Sequence, residues 1–167
     1  MKSLVELALK LIIALIFSFN LNAAEVREII VKGNSRVSSE TILVYGGINK
    51  NENIDAGRIN EILKNLYSTN FFENVEVRET NGLLEIIVEE YPVVNQLVIE
   101  GEPSNRIKEK IQELIATKAK QSLIKSSISK DVNIIKNLYS SIGFNFADVD
   151  VKIKEVDKKN FDVLIKI

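Results

Sequence analysis

The chain of 167 residues has no histidine, no cysteine and no tryptophan, and only two prolines. Without histidine and cysteine it lacks the commonest general base, the commonest metal ligand and a thiolate nucleophile. Disulfide bonds are excluded as well, so an exported fold must be held together by its apolar cores alone. We therefore predict that the protein is not an enzyme and that it uses no cofactor and no metal.

The sequence also has no excess of charge of one sign. It contains 22 basic and 23 acidic residues, and its formal net charge is −1. Such a balance gives no overall field that would attract nucleic acid, and we predict no nucleic-acid partner. Carboxylates are densest around Glu85, Glu89 and Glu90. We interpret them as the solvated face and end of a strand rather than as an acid–base pair.

The only long apolar run is at the N-terminus. It extends from Leu11 to Phe19, follows Lys2 and Lys10, and is followed by the small residues Ala23 and Ala24. This pattern predicts a secretory signal peptide over residues 1–24. An uncleaved N-terminal anchor is the alternative, although the run is shorter than the roughly 20 apolar residues of a membrane span.

The rest of the sequence repeats itself. The tetrapeptide Asn-Leu-Tyr-Ser at 65–68 returns 72 residues later at 137–140, and Ile30–Gly33 is echoed 68 residues later by Val98–Gly101. Two landmarks in one order at nearly one offset predict two copies of a small domain, each with its own core. We place these domains at residues 25–91 and 92–167, divided at Pro92.

The first copy has the pattern strand, helix, helix, strand, strand. A β-branched run predicts a strand over 26–32, and Ser38 and Asp55 are N-cap candidates for two helices. Asn81-Gly82 favours a tight hairpin turn between the last two strands. Apolar residues at helical spacing mark the second helix: Ile59, Ile62, Leu63, Leu66 and Tyr67.

The second copy follows the same order. We predict a strand over Leu97–Ile99, a helix capped by Ser104, a second helix and two alternating strands. The predicted inward residues of the helices are Ile107, Ile111, Leu114, Ile115, Ile128, Val132, Ile135 and Tyr139. Those of the strands are Val149, Val151, Ile153, Phe161, Val163, Ile165 and Ile167. The predicted class is α+β, with two helices covering one face of each three-stranded sheet and at least one sheet edge unpaired.

Four segments of this pattern resemble a known family. They are 29–36 at the first strand and turn, 66–75 between helix and strand, 84–92, and 97–101. In this order and behind an export signal, they are similar to the first two POTRA domains of the BamA-type outer-membrane protein assembly factors. The resemblance implies tandem POTRA domains with mixed sheets, in which the second strand of each domain lies at an edge.

The resemblance also implies a function. It predicts a scaffold on the periplasmic face of the outer membrane that binds unfolded outer-membrane protein precursors and accessory assembly lipoproteins. Further POTRA domains and a C-terminal membrane barrel are expected beyond this chain, which we read as a fragment ending within its last strand. Clients would pair with exposed strand edges through main-chain hydrogen bonds. The predicted edge residues are Val75, Glu76, Val77, Arg78 and Glu79 in the first copy, and Val149, Asp150, Val151, Lys152 and Ile153 in the second.

Two other functions remain open at this point. A two-partner secretion transporter has paired POTRA domains before its barrel and would escort a single passenger. A periplasmic or cell-division interaction protein would carry one such unit on a membrane anchor, against which the repeat and the predicted signal peptide argue.

Overall fold

The computed structural model describes residues 24–167, so the predicted signal peptide lies outside the described residues except for Ala24. The strands are β1 (Ala24–Glu25), β2 (Glu28–Lys32), β3 (Asn53–Ile54), β4 (Phe72–Thr80), β5 (Leu83–Glu90), β6 (Val93–Glu100), β7 (Asp150–Asp157) and β8 (Asn160–Lys166). The helices are α1 (Ser39–Gly46), α2 (Ala56–Ser68), α3 (Asn105–Leu114) and α4 (Lys125–Ser141). Within residues 24–167 no helix has both the length and the apolar character needed to cross a membrane.

Three of the four helices begin at the caps predicted from the sequence. The side chains of Ser38, Asp55 and Ser104 accept hydrogen bonds from backbone N–H groups in the first turns of α1, α2 and α3. These bonds pair donors that have no partner inside the helix. Helix α1 ends at Gly47, whose φ of 68° is a left-handed conformation that glycine adopts without steric cost.

The two large sheets have the same topology. Their strand orders are β2-β5-β4 and β6-β8-β7. In each sheet the first and last strands of the unit are parallel neighbours, and the hairpin β4–β5 or β7–β8 is antiparallel. Asn81 and Gly82 have φ values of 55° and 86°, as the predicted tight turn between β4 and β5 requires. The predicted α+β class with two three-stranded mixed sheets is confirmed.

Two separate apolar cores lie between the sheets and their helices. The first centres on fully buried residues of α2 and β5, and the second on α3, α4 and β8. The most buried side chains of the first core include Ile62, Leu66, Phe72, Leu84 and Ile86, and those of the second include Ile111, Ile115, Ile135, Val163 and Ile165. Separate cores support the division at residues 25–91 and 92–167, which we keep as a proposal.

Both units contain a short backbone pairing outside the main sheet that the sequence analysis did not predict. In the first unit β1 pairs with β3, and Val26 exchanges backbone hydrogen bonds with Asn51 and Glu52. In the second unit Val94 exchanges the same two bonds with Lys120 and Gln121. Asn51 and Lys120 share a left-handed φ, of 63° and 66°. Pairs this short carry no sequence period, so pattern analysis misses them.

Three predicted inward positions are wrong, the first of which is Tyr67 of the α2 stripe, 42% exposed near the end of its helix. Leu114 is 43% exposed in the last turn of α3, where the next residue, Ile115, enters the core in its place. Ile153 is 41% exposed because β7 is an outer strand and its inward face is only partly covered. The first strand of the second unit is also longer than predicted, since it begins at Val93 directly after Pro92.

The glycines at the ends of β2 and β6 mark a close approach between strands. A Cβ atom on Gly33 would lie 2.1 Å from the carbonyl oxygen of Val88, and one on Gly101 would lie 2.1 Å from that of Ile167. No side chain fits at such a distance. The repeated glycine is therefore needed for the parallel strands to pair at this end.

Candidate functional site: the outer strands of the two sheets

All ten residues of the predicted client site lie on outer strands or beside them. Val75 to Glu79 belong to β4, at the edge of the first sheet, and Asp150 to Ile153 belong to β7, at the edge of the second. Val149 directly precedes β7 and is buried. The sequence could not order the strands, so the structure supplies this placement.

The outward main-chain groups of these strands follow from the hydrogen-bond pattern. Ile167 donates its N–H to the carbonyl oxygen of Glu100, away from β7. Since alternate residues of a strand point to the same side, Ile165 and Val163 also point towards β6. Their partners across the hairpin are Val151 and Ile153. The N–H and C=O groups of these two residues therefore point out of the sheet.

On β4, the outward main-chain groups of Val75, the equivalent of Val149, are covered by a tyrosine. The Tyr67 hydroxyl accepts a hydrogen bond from the N–H of Val75 at 3.0 Å and lies 3.5 Å from the Val75 carbonyl oxygen. It also lies 3.3 Å from Oδ1 of Asn74. Tyr67 comes from the last turn of α2 and is 42% exposed. One side chain thus occupies both outward main-chain groups of Val75.

The equivalent tyrosine of the second unit is used differently. Tyr139 is 7% exposed, and its hydroxyl donates to Oε2 of Glu102. Glu102 is itself buried, and its other oxygen accepts the N–H of Ser104 at 2.6 Å. Burial, followed by the adjacent Glu102 carboxylate, raises the pKa of the Tyr139 phenol above its usual value. This hydroxyl is therefore a fixed, neutral donor to Glu102.

Charges on the two outer strands also differ. On β4, Glu76 and Arg78 form an ion pair with each other. On β7, Lys152 and Lys154 are exposed, and within residues 24–167 neither forms an ion pair. Lys152 and Lys154 therefore form a short basic stripe on the exposed side of β7, preceded on the same face by Asp150, whereas Glu76 and Arg78 on β4 neutralise each other.

A cavity of about 270 Å³ opens beside β7. Its walls include Ile153, Phe161 and Leu123 of the second unit, together with Tyr91 and Pro92 of the linker and Glu73 of β4. The lining is largely apolar and is reached from the side of β7 that carries Ile153. It is large enough for an aliphatic or aromatic side chain.

Glu90, which the sequence placed only in a solvated strand end, organises the other side of the linker. Its carboxylate accepts the N–H groups of Ser35, Arg36 and Val37 at 2.8 to 3.1 Å, and its side chain is 6% exposed. Burial alone would raise the pKa of Glu90, but these three donors and the Arg36 guanidinium outweigh it and hold the pKa below 4.5. Arg36 also lies over the ring of Phe71. The role is structural.

Within the part of the chain that the structure describes, no group of three or more acidic side chains is placed to hold a metal ion. A cleft of about 340 Å³ between the units is lined mainly by hydroxyl, amide and apolar groups, with Arg36 and Lys120 at its walls. Sequence patterns do not reveal the roles of Tyr67, Glu102 and Glu90, because their partners are distant in sequence or lie on the main chain.

Comparisons with known proteins agree with this architecture. The POTRA family model, described as "Surface antigen variable number repeat", matches residues 92–167. A curated protein from Neorickettsia risticii (strain Illinois), "Outer membrane protein assembly factor BamA", is 24% identical over 147 residues, which cover 87% of this chain and 20% of that protein. The chain thus spans a fifth of the length of that relative.

A solved structure has the same fold. The N-terminal domain of Omp85 from the thermophilic cyanobacterium Thermosynechococcus elongatus superposes with a TM-score of 0.53 at 17% sequence identity, over 85% of this chain and 62% of that one. The match extends across both units. The chain is therefore a tandem of two POTRA-fold units, of which the second, residues 92–167, matches the POTRA family model.

Proposed function

We propose that this chain is the periplasmic scaffold region of an outer-membrane β-barrel assembly factor, and that it holds unfolded client proteins by adding their strands to its sheet edges. The observation that carries the proposal is the presence of two small sheets whose hairpin strands β4 and β7 are both outermost. The similarity to an outer membrane protein assembly factor supports the same role.

Edge pairing suits a client that is defined by its future strands rather than by a fixed sequence. Main-chain N–H and C=O groups repeat at constant spacing along any extended polypeptide, so pairing with them makes little demand on side chains. An unfolded barrel protein is rich in such segments, because its strands alternate between lipid-facing and interior residues. One scaffold can therefore serve many clients.

The proposed role is binding without catalysis. Accessory assembly lipoproteins are the other proposed partners, and the outer membrane is the proposed destination, reached through parts of a longer protein. Export through a signal peptide at residues 1–24 belongs to the same proposal. The helices and sheets supply rigid support for the edges, because each sheet is packed on its own core.

The proposal is tested by blocking both edges at once. We would dilute a urea-unfolded outer-membrane β-barrel protein into buffer containing the chain and follow its aggregation by light scattering. The wild-type chain should delay aggregation, and the double variant Val77→Pro, Val151→Pro should not, because proline removes the outward donor from each edge.

The matched control is Val77→Thr, Val151→Thr, which keeps both donors and nearly the same side-chain shape. Circular dichroism would establish that all three proteins are folded. If the proline double variant protects the client as well as the threonine variant does, clients do not bind through these edges and the proposal is wrong.

A further inference from the structure

We propose that the two outer strands are not equivalent: β7 is the edge that accepts an added strand, whereas β4 is closed by Tyr67. The partner is an extended polypeptide with an apolar side chain facing the Ile153 cavity and acidic side chains beside Lys152 and Lys154. This inference rests on the proposed edge pairing and names which edge performs it and what sequence it favours.

Tyr67 blocks β4 by occupying the groups that a client would need. A strand added along the whole of β4 would bond to the N–H and C=O of Val75, but the Tyr67 hydroxyl already lies 3.0 Å from the first and 3.5 Å from the second. A client would have to displace this hydroxyl before it could pair at Val75. Covering an outer strand in this way is a common protection against unwanted pairing.

In the second unit, the equivalent tyrosine does not cover the outer strand. Tyr139 occupies the same place in the repeated Asn-Leu-Tyr-Ser sequence, yet its hydroxyl is bound by Glu102 and its ring is buried. Glu102 is kept in place by the N–H of Ser104. The residue that covers Val75 in the first unit is therefore held away from the equivalent Val149, and the edge from Val149 to Ile153 is left uncovered by it.

The two outer strands on the opposite sides of the sheets are covered where they begin. Ahead of β2, Val26 bonds to Glu52 and Asn51, and near the start of β6, Val94 bonds to Gln121 and Lys120. Strand β2 is only five residues long, and β6, although it has eight residues, pairs at Val93 and Val94 with residues 120–122. Within residues 24–167, β7 thus combines eight residues of length with outward groups that no tyrosine or loop described above occupies.

The cavity beside Ile153 gives the site a side-chain preference. The inward side of β7 at Val151 is half-buried and at Ile153 is 41% exposed, so the apolar layer of the second unit is incomplete at this edge. An added strand would complete the layer, and its inward residue next to Ile153 would enter the cavity of about 270 Å³ formed with Phe161, Leu123 and the linker. Strand-addition sites commonly obtain specificity from such pockets.

The basic stripe gives a charge preference. Lys152 and Lys154 share the face of the sheet that is turned away from the helices. Asp162 of β8 lies opposite Lys154, but its carboxylate accepts hydrogen bonds from Asn95 and Gln96 instead of pairing with the lysine. Directly opposite residues of paired strands are close enough for opposite charges to attract. A client whose outward residues are acidic or small and polar is therefore favoured over one whose outward residues are basic. This preference should weaken with added salt because the lysines are exposed.

The probe is a fluorescein-labelled peptide of about ten residues, the length of a barrel strand, that alternates valine with glutamate. Its binding to the full chain would be measured by fluorescence anisotropy. Val151→Pro should weaken binding by about tenfold or more, because it leaves a peptide carbonyl without its donor. The matched variant Val77→Pro on β4 should change the affinity by less than about twofold. Equal losses in the two variants would overturn the assignment to β7.

Tyr67→Phe provides the complementary test, since it removes only the hydroxyl that covers Val75. The stoichiometry should rise from one peptide to two, and the added site should disappear when Val77→Pro is combined with Tyr67→Phe. A stoichiometry of one in Tyr67→Phe would show that Tyr67 does not close β4 and would contradict the inference. A lysine-containing peptide in place of the glutamate peptide should bind more weakly at low salt.

The same peptide N-methylated at alternate residues separates failure of the inference from failure of the proposed function. N-methylation removes the donors of one peptide edge and leaves the side chains in place, so binding by main-chain pairing should be lost. If the methylated peptide binds as well as the parent, edge pairing itself is wrong. If methylation abolishes binding but Val77→Pro and Val151→Pro weaken it equally, only the choice of β7 is wrong.

Discussion

At the scale of single residues, identical sequence has produced opposite roles. Tyr67 and Tyr139 stand in the same tetrapeptide at the ends of α2 and α4, but one covers a strand edge and the other is buried against Glu102. Nothing local distinguishes them, because Glu102 lies 37 residues from Tyr139. The helix caps at Ser38, Asp55 and Ser104 could be predicted for the opposite reason, since each bonds within its own first turn.

Burial can be tested with one pair of leucines. Leu66 is fully buried in the first core, whereas Leu114 is 43% exposed at the end of α3. Leu66→Ala should lower the free energy of unfolding by about 2–5 kcal/mol, through lost burial and the cavity left behind. Leu114→Ala should cost less than about 1 kcal/mol. Urea unfolding followed by circular dichroism measures both, and similar losses would mean that the helix registers are wrong.

Glu90 predicts a pH dependence of stability. Because the folded state lowers the pKa of Glu90 below 4.5, its stabilisation is complete above that pH and is lost as the pH falls through the folded pKa. Glu90→Gln should therefore lower the free energy of unfolding by about 1–3 kcal/mol at pH 7, and the difference from wild type should shrink towards pH 3.

The neighbouring exposed residue provides the control for this prediction. Glu89→Gln changes the same charge one position away, where the side chain bonds to no backbone donor among those of the Ser35–Val37 loop. It should alter the free energy of unfolding by less than about 0.5 kcal/mol at either pH. If the difference in free energy of unfolding between Glu90→Gln and wild type is constant from pH 7 to pH 3, the role assigned to the carboxylate is contradicted.

At the scale of elements, local sequence signals predicted the helices and the β4–β5 hairpin. The burial of strand residues could not be predicted in the same way, because it depends on the order of the strands in the sheet. The alternation of β7 correctly predicts a strand, but whether Ile153 is buried depends on which strands flank β7, and that is a non-local property. The β1–β3 pair and the Val93–Ser122 bridge were missed because two-residue contacts have no periodicity. The predicted client edges likewise depended on family resemblance.

The parallel pairing of β6 with β8 predicts a strong effect at Gly101. Gly101 and Gly143 have nearly the same positive φ, 89° and 94°, but a Cβ at Gly143 would meet no atom within 4 Å. Gly143→Ala should cost about 1–2 kcal/mol, from the left-handed conformation alone. Gly101→Ala should cost about 2 kcal/mol more, because its Cβ would clash with the Ile167 carbonyl oxygen. Equal losses in thermal unfolding would contradict the close approach.

At the scale of the whole molecule, the two units are joined by a short linker, Tyr91 and Pro92, between β5 and β6. Within residues 24–167 every side-chain hydrogen bond and ion pair described above joins residues of one unit. The two linker residues bond to different units. The N–H of Tyr91 donates to the carbonyl oxygen of Phe71 in the first unit, and the carbonyl oxygen of Pro92 accepts from the N–H of Leu123 in the second. Each end of the linker is therefore fixed to a different unit.

This arrangement predicts that the cores are energetically independent. Leu66→Ala in the first core and Ile135→Ala in the second should have additive effects on stability, to within about 0.5 kcal/mol. Hydrogen exchange would locate each effect, with faster exchange in β5 for Leu66→Ala and in β8 for Ile135→Ala. Exchange that accelerates in both sheets after either substitution would show that the units unfold together.

The parallel pairing of terminal strands also has a mechanical consequence. In each unit the first strand and the last strand are neighbours that run in the same direction, so a pull on the two ends of the unit draws them in opposite directions along their length. The hydrogen bonds between the two strands then share the force and must break together, rather than one after another. The β6–β8 ladder has seven register pairs and the β2–β5 ladder has five, so under tension the first unit should yield before the second.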